Sequence, residues 1–302
     1  MKRFLLKLAA FGLIMAAVAI LADVLLSRNM RSVNTYGMET WKDIMEGQAG
    51  AEVLILGDSR ALNSCDREVL DSIVRHSAYN LAIVGNPFVV QEFRYRMYRE
   101  HNPKPRVILQ FVDDFFLSPN FSLDDPLQFL PWMWNGSFRR GMFSFGIPVF
   151  LRETFPFFRY QGTRPWSVER QQRQSTDGFY SFEDERFHFS ALAPRTFRYQ
   201  EDTDANFRDF LREVREEGIR VVLVLPPIYE SVGFRDGDEE KMLGYYNSVA
   251  AGNGLPLFDG SSLEIKHDST LFLDPGHLNA KGARAFTDTL ARYLSGLGLF
   301  DE

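Results

Sequence analysis

The chain has 302 residues, 45% of them hydrophobic and 25% charged, with a formal net charge of −6 and a single cysteine, Cys65. This length and composition suit one large domain, or one domain with an insertion, and exclude a largely disordered chain. The acidic balance without a basic stripe argues against nucleic acid as a partner. One cysteine rules out an intrachain disulfide and any cysteine-based zinc pattern.

Lys2, Arg3 and Lys7 precede an uncharged run from Leu8 to Ala22. With Phe4–Leu6 and Val24–Leu26 added, the apolar stretch reaches about 23 residues, interrupted only by Lys7 and Asp23, and is long enough to cross a bilayer core. Ala17-Val18-Ala19 offers a small-x-small cleavage site, but the apolar run continues past it, unlike that of a signal peptide. Residues 1–28 are therefore expected to be an uncleaved anchor, with a cleaved signal as the alternative and a buried helix third. The N-terminal positive charge favours an N-inside orientation. That predicts a single-pass protein of the bacterial inner membrane with its domain in the periplasm. Residues 29–50 read as a polar stalk and 51–302 as the folded domain.

Glu52–Leu56 (EVLIL) is a short apolar run that ends in Gly57-Asp58-Ser59 and reads as a buried parallel strand. Tyr79–Val84 is a second run, ending at Gly85. Pro87 can open a helix through about His101. Arg106–Phe111 is a third strand, followed by Val112-Asp113-Asp114. Thr203–Glu217 places Phe207, Phe210, Leu211 and Val214 at helical spacing, and Gly218 suits its C-terminal cap. Arg220–Leu225 is a fourth strand, stopped by Pro226-Pro227. Lys241–Ala251 reads as a helix and Leu255–Phe258 as a short strand. Asn279–Leu294 is the closing helix, with Ala283, Phe286, Leu290 and Leu294 on one face. The alternation predicts an α/β fold, three-layer α/β/α, with a mainly parallel sheet. Ligands in such sheets bind at the carboxyl ends of strands, where Gly57-Asp58-Ser59, Gly85 and Asp113 fall. Phe115–Phe189 breaks the pattern and is rich in aromatics. An irregular stretch this long predicts an inserted subdomain or lid, about 115–200, although its aromatics could equally pack on the main core.

A serine ester exchange needs an activated hydroxyl, an imidazole to take its proton, a carboxylate to orient that imidazole, and donors for the oxyanion. Ser59 follows a buried strand in a turn opened by Gly57. Asp274-Pro275-Gly276-His277 puts a carboxylate three residues before a histidine, just ahead of the last helix. Either signal alone is weak, but together on this strand pattern they point to a Ser59–His277–Asp274 triad. Cys65 reads as a small buried residue in the helix after the first strand. His76, His101, His188 and His267 have no partner motif and read as surface or packing residues. No metal-ligand spacing such as His-Glu-x-x-His occurs.

ILGDSR (Ile55–Arg60), NLAIVGN (Asn80–Asn86) and DPGHLNAKGARAF (Asp274–Phe286) resemble the first, second and fifth blocks of the SGNH (GDSL-like) hydrolase superfamily. The resemblance implies a flavodoxin-like sheet, Ser59 as nucleophile, and His277 and Asp274 as base and acid. It also implies an oxyanion hole using the N–H groups of Ser59 and Gly85, and no cofactor. The third block of that family supplies a donating asparagine, and here Asp113 takes its place. An ionised carboxylate only accepts and would repel an oxyanion. Asn86 and Arg60 are the alternative donors, with Asp58, Arg60 and Asp113 lining the site. An anchor joined to such a domain is similar to alginate O-acetylation proteins and to the D-alanyl transfer protein of teichoic acid synthesis. That layout implies acyl transfer to, or ester hydrolysis on, a cell-envelope glycan, with a membrane-bound O-acyltransferase as partner. A glycan-binding envelope protein that keeps the fold without the chemistry is the remaining reading.

Overall fold

Three apolar runs, Val53–Leu56, Val107–Phe111 and Arg220–Leu225, lie side by side in a parallel sheet, and nearly every side chain in them is buried. The computed structural model describes residues 1–32, 37–118, 126–145, 159–160, 175–176, 179–180 and 194–300. The chain divides into two compact units, one of residues 1–42 and 125–172, the other of residues 43–124 and 173–302.

The larger unit begins in α2 (Met38–Met45), which starts in the smaller one. It continues through β1 (Val53–Leu56), α3 (Ser59–Ser64), α4 (Arg67–Val74), β2 (Ala78–Asn80), α5 (Phe88–His101) and β3 (Val107–Phe111). After a short hairpin, β4 (Ser175–Thr176) and β5 (Phe179–Tyr180), come α7 (Glu201–Glu216), β6 (Arg220–Leu225), α8 (Asp238–Asn253) and β7 (Leu257–Asp259). It closes with the antiparallel pair β8 (Phe272–Asp274) and β9 (His277–Leu278) and with α9 (Ala280–Gly296); α6 (Gly136–Ser144) belongs to the smaller unit. The main sheet has the order β2-β1-β3-β6-β7, and every pairing in it is parallel. Its order along the chain is 2-1-3-4-5, the flavodoxin-like doubly wound arrangement, whose crevice opens between the first and third strands.

Both faces are covered. Gln110 on β3 donates to Gln91 of α5 at 3.0 Å, while its neighbour Phe111 meets Phe286 of α9 with ring centroids 6.3 Å apart. Successive strand residues point to opposite faces, so α5 and α9 lie on opposite sides of the sheet. On the first side α5 packs on α7 through Phe88, Tyr95, Phe207 and Phe210. On the second, α9 packs on α3 and α4. The expected three layers are present, and Phe116 joins the main core against Phe88 and Phe207.

The second strand is shorter than the apolar run Tyr79–Val84 predicts. After Asn80 the chain stays buried but keeps only isolated bonds to β1, from Leu81 N–H to Ile55 and from Ile83 N–H to Gly57. The Asn80 side chain accepts from Ala82 N–H and so pulls the backbone out of the ladder. Elsewhere the expected elements are met within a few residues. Asn279 caps α9 by accepting from Gly282 N–H, and Gly218 takes a left-handed conformation (φ +77°) just past α7.

In the smaller unit α1 (Lys2–Arg31) is one continuous helix, long and apolar enough to cross a membrane, with Phe4 to Leu21 exposed apart from the half-buried Ala19. Its last turns are different in kind. Asp23, Ser27 and Met30 are buried, with Met30 packed among Met38, Leu130 and Tyr160. Trp41, in the segment read as a stalk, is fully buried against Phe129 and Phe138. The middle of the expected insertion, 146–158, 161–174 and 181–193, lies outside the described residues, as does His188.

Candidate active site

The turn after β1 is set by close packing. A Cβ at Gly57 would stand 2.4 Å from the Ala61 Cβ and 2.8 Å from the Phe111 Cβ, so only glycine lets β3 and α3 approach here. Asp58 then caps α3, accepting from Arg60 N–H at 2.9 Å, and Ser59 becomes the first helical residue. A backbone N–H at this position has no partner within the helix and is open to an anion.

The turn between β8 and β9 brings the other two residues into place. Asp274 Oδ1 accepts from Gly276 N–H at 2.7 Å and from His277 N–H at 3.0 Å, an Asx turn that folds the carboxylate back onto its own histidine. His277 Nδ1 lies 3.0 Å from both carboxylate oxygens of Asp274, and its Nε2 lies 2.9 Å from Ser59 Oγ. The network assigns the tautomer: Nδ1–H donates to Asp274, leaving Nε2 to accept from the serine hydroxyl. Behind the turn, α9 sits so close to Leu271 that a Cβ at Gly282 would meet its carbonyl oxygen at 2.0 Å. Burial works to raise the pKa of Asp274, but hydrogen bonds and charge from His277, with the two backbone N–H groups, hold it below the usual carboxylate range. A hydrogen-bonded chain of hydroxyl, imidazole and carboxylate thus joins three residues, two of them 218 positions apart.

Gly85 has φ +66°, in the turn after β2, which is tied to the Gly57 turn by the bond from Ile83 N–H to Gly57. Asn86 is fully buried; its side-chain amide donates to Val84 O at 2.6 Å and its backbone carbonyl accepts from the Gln91 side chain. One N–H of the Asn86 side-chain amide is therefore used within its own turn.

Asp113 is turned inward. Its Oδ1 accepts from Phe115 and Phe116 N–H at 2.7 and 2.8 Å, and its Oδ2 pairs with Arg60 Nη2. Arg60 also reaches Asp114 Oδ1 at 3.1 Å and is 5% exposed. Burial pushes the Asp113 carboxyl up to about 6 against the opposing charge of Arg60, and the neighbouring Asp58 carboxylate adds to the rise. Asp58 moves the other way: burial opposes its ionisation, but Arg60 and a hydrogen bond from Asp113 outweigh it. The Asp113 carboxyl is thus held by two backbone N–H groups and by Arg60, turned away from the role of an oxyanion donor.

Sequence reasoning missed Arg195. Its Nε and Nη2 donate to Asp114 Oδ1 at 2.8 and 2.5 Å, and a Cβ built on Gly276 would stand 3.9 Å from its Nη1. No local motif marks it, because its partners lie 81 residues away in either direction along the chain (114 and 276). A cavity of about 230 Å³ lies over the end of β6, walled by Leu225, Val232, Phe234 and Met242 and reached by Arg60 and Tyr229. Tyr229 N–H bonds the carbonyl of Pro275 in the Asp274–His277 turn. Ser59 and His277 do not line this cavity.

Cys65 is buried at the end of α3, where burial raises its thiol pKa and keeps it protonated. His76 stacks on Phe300, and His267 pairs with Glu230 on the surface. Among the described residues no group of three or more His, Cys, Asp and Glu side chains is placed to hold a metal ion.

No protein-family model matches the chain, and no curated protein matches it. Solved structures do. One is designated a lipolytic protein of the G-D-S-L family from Desulfitobacterium hafniense, 12% identical, with TM-score 0.41, covering 80% of this chain and 97% of that one. Another is designated an acylhydrolase from Bacteroides fragilis, 11% identical, with TM-score 0.40, covering 82% of this chain and 87% of that one. A third is designated a platelet activating factor from Streptococcus pneumonia, 10% identical, with TM-score 0.40, covering 97% and 99%.

Proposed function

We propose that the chain is a membrane-anchored serine esterase or O-acyltransferase of the SGNH type, acting outside the cytoplasm on acyl groups of a cell-envelope glycan. The observation that carries this reading is the Ser59–His277–Asp274 hydrogen-bonded chain at the crevice of a doubly wound sheet.

In this reading His277 Nε2 takes the proton of Ser59 Oγ as that oxygen bonds the ester carbon. Asp274 stabilises the imidazolium that results. The carbonyl oxygen becomes an oxyanion facing the N–H groups of Ser59 and Gly85. Collapse expels the alcohol, which leaves with the proton from His277, and the acyl group stays on Ser59. Water or a glycan hydroxyl then gives its proton to His277 and takes the acyl group, restoring the serine. The inward commitment of the Asp113 carboxyl supports the enzymatic reading over a binding protein, because no free carboxylate then faces the oxyanion from that position.

The anchor rests on α1, whose exposed apolar length suits a bilayer. A membrane-bound O-acyltransferase would hand over the acyl group. The test is intact mass after treatment with a fluorophosphonate. One adduct on the wild type and none on Ser59→Ala, with unchanged thermal unfolding, is expected; an adduct on Ser59→Ala removes Ser59 from the role.

A further inference from the structure

Within the smaller unit, the segment Leu130–Trp134 packs along the last turns of α1. Arg31, at the end of the helix, donates to Pro131 O through Nε at 3.0 Å and Nη2 at 2.5 Å, with its guanidinium 4.7 Å from the Trp132 ring centroid. Asp23, about two turns earlier on α1, accepts from Trp134 Nε1. The two contacts are about 12 Å apart along the helix axis. From Pro131 to Trp134 the chain therefore descends α1 toward its apolar run, and Trp134 is the lowest point of that descent.

The apolar run continues past this level. Val24 and Leu25, just beyond Asp23, are 40% and 56% exposed. From Leu8 to Leu25 the helix rises about 27 Å, close to the roughly 30 Å of a hydrocarbon core. Trp134 thus stands at one edge of the layer that α1 spans. Its side chain is 38% exposed, while Trp132 and Met133 before it are buried. Its N–H is already bonded to Asp23, the Asp23 charge is paired with Arg159, and the Arg159 guanidinium lies 5.0 Å from the Trp134 ring centroid. The ring can enter a water-poor layer without leaving a buried donor unmade.

We infer that Trp134 is a second membrane contact of this protein, its exposed part lying in the headgroup layer of the bilayer that α1 crosses. The inference rests on the reading of α1 as an anchor. Tryptophan favours that layer because its ring is apolar and its N–H polar. The occupant is lipid because the exposed part of Trp134 lies level with side chains of α1 that themselves face the hydrocarbon edge. The bond to Asp23 then fixes the 130–134 segment at that height.

The test uses the full chain in nanodiscs of phosphatidylcholine and phosphatidylglycerol, with bromine carried either high on the acyl chains or near their ends, and reads tryptophan emission. Bromine high on the chains should quench a share of wild-type emission that Trp134→Phe lacks, the contribution of one tryptophan in four. Bromine near the chain ends should quench the two proteins alike. A ring that only held α1 to its unit would lower Tm on substitution and leave the quenching unchanged. Equal quenching of wild type and Trp134→Phe by the shallow bromine overturns the inference. If Trp134→Phe does not fold, Trp134→Tyr, which keeps a ring and a donor, carries the same comparison. Full-length protein released from membranes by a carbonate wash would instead overturn the anchor reading beneath it.

Discussion

Arg60 Nη2 is ion-paired with Asp113 Oδ2, each side chain 6% exposed, and the pair links the first turn of α3 to the end of β3. The residue after Ser59 is thereby tied to the strand next door. Asp58 closes the arrangement, since it caps the same turn through Arg60 N–H, and its charge raises the Asp113 carboxyl further. Three carboxyls and two arginines, Asp58, Asp113, Asp114, Arg60 and Arg195, form one buried to half-buried cluster behind the serine.

That cluster gives stability a pH dependence of definite sign. The folded-state pKa of Asp113, about 6, lies above its unfolded value, so the native state binds more protons in between. The contribution is fully present below about pH 4 and is lost as pH rises through about 6. It amounts to about 3 kcal/mol in order of magnitude. Asp113→Asn should flatten the dependence of Tm on pH across that window. An unchanged slope would mean that folding does not raise the pKa of Asp113.

In the hydrogen-bonded chain, loss of the base should match loss of the nucleophile, because the two act as a unit. His277→Ala and Ser59→Ala should each lower kcat by about 10⁶-fold, and Asp274→Asn by about 10⁴-fold, since the imidazole remains. Asp274 is held below the usual carboxylate range, so it stays ionised and should not set the acidic limb of the pH–rate profile. Burst kinetics with a p-nitrophenyl ester measure all three. Wild-type bursts in His277→Ala would sink the base assignment.

Gly57→Ala tests the turn itself. The added Cβ would meet Ala61 and Phe111 at 2.4 and 2.8 Å, so either α3 or β3 must move. Overpacking of this kind costs about 1–3 kcal/mol, and Ser59, two residues on, should shift with α3. A lower Tm together with slower fluorophosphonate labelling is expected; a variant that labels at the wild-type rate would show that the turn tolerates the methyl.

In the smaller unit, Asp23 Oδ2 accepts from Trp134 Nε1 at 2.5 Å and Arg159 Nη1 at 2.7 Å, with both ionic side chains 1% exposed. Ser27 meets Tyr160 at 2.8 Å one turn further along α1. Asp23→Leu takes the carboxylate from Arg159, and removing one partner of a buried pair costs about 3–5 kcal/mol. The double variant Asp23→Leu with Arg159→Leu should recover much of that loss. Thermal unfolding in detergent, followed by tryptophan emission, compares them, and equal stability of the single and double variants would count against the pair.

What could be read along the chain was whatever short-range forces decide. Apolar runs bounded by Gly and Pro mark β1, β3 and β6 within about a residue, because a strand buried on both faces must be apolar throughout. Helical spacing and caps mark α7 and α9, with Gly218 and Asn279 at their ends. The Asp274–His277 contact was legible because an Asx turn over three residues makes it. The end of β2 was not, since it depends on how the Asn80 side chain competes with the ladder.

Sequence by itself determined the α/β alternation, the apolar N-terminal helix, the position of Ser59 at a strand end and that of Asp274 and His277 just ahead of the last helix. Only the tertiary structure decided which way Asp113 faces, that Arg60 is consumed by two carboxylates, and that Arg195 comes to rest beside Gly276. It also decided that the last turns of α1 bury Asp23. The physical reason is the same in each case. A charged side chain has no intrinsic burial preference that spacing could reveal; its place is set by whichever opposite charge the packed strands and helices bring within reach, and these partners lie 53 to 136 residues away along the chain.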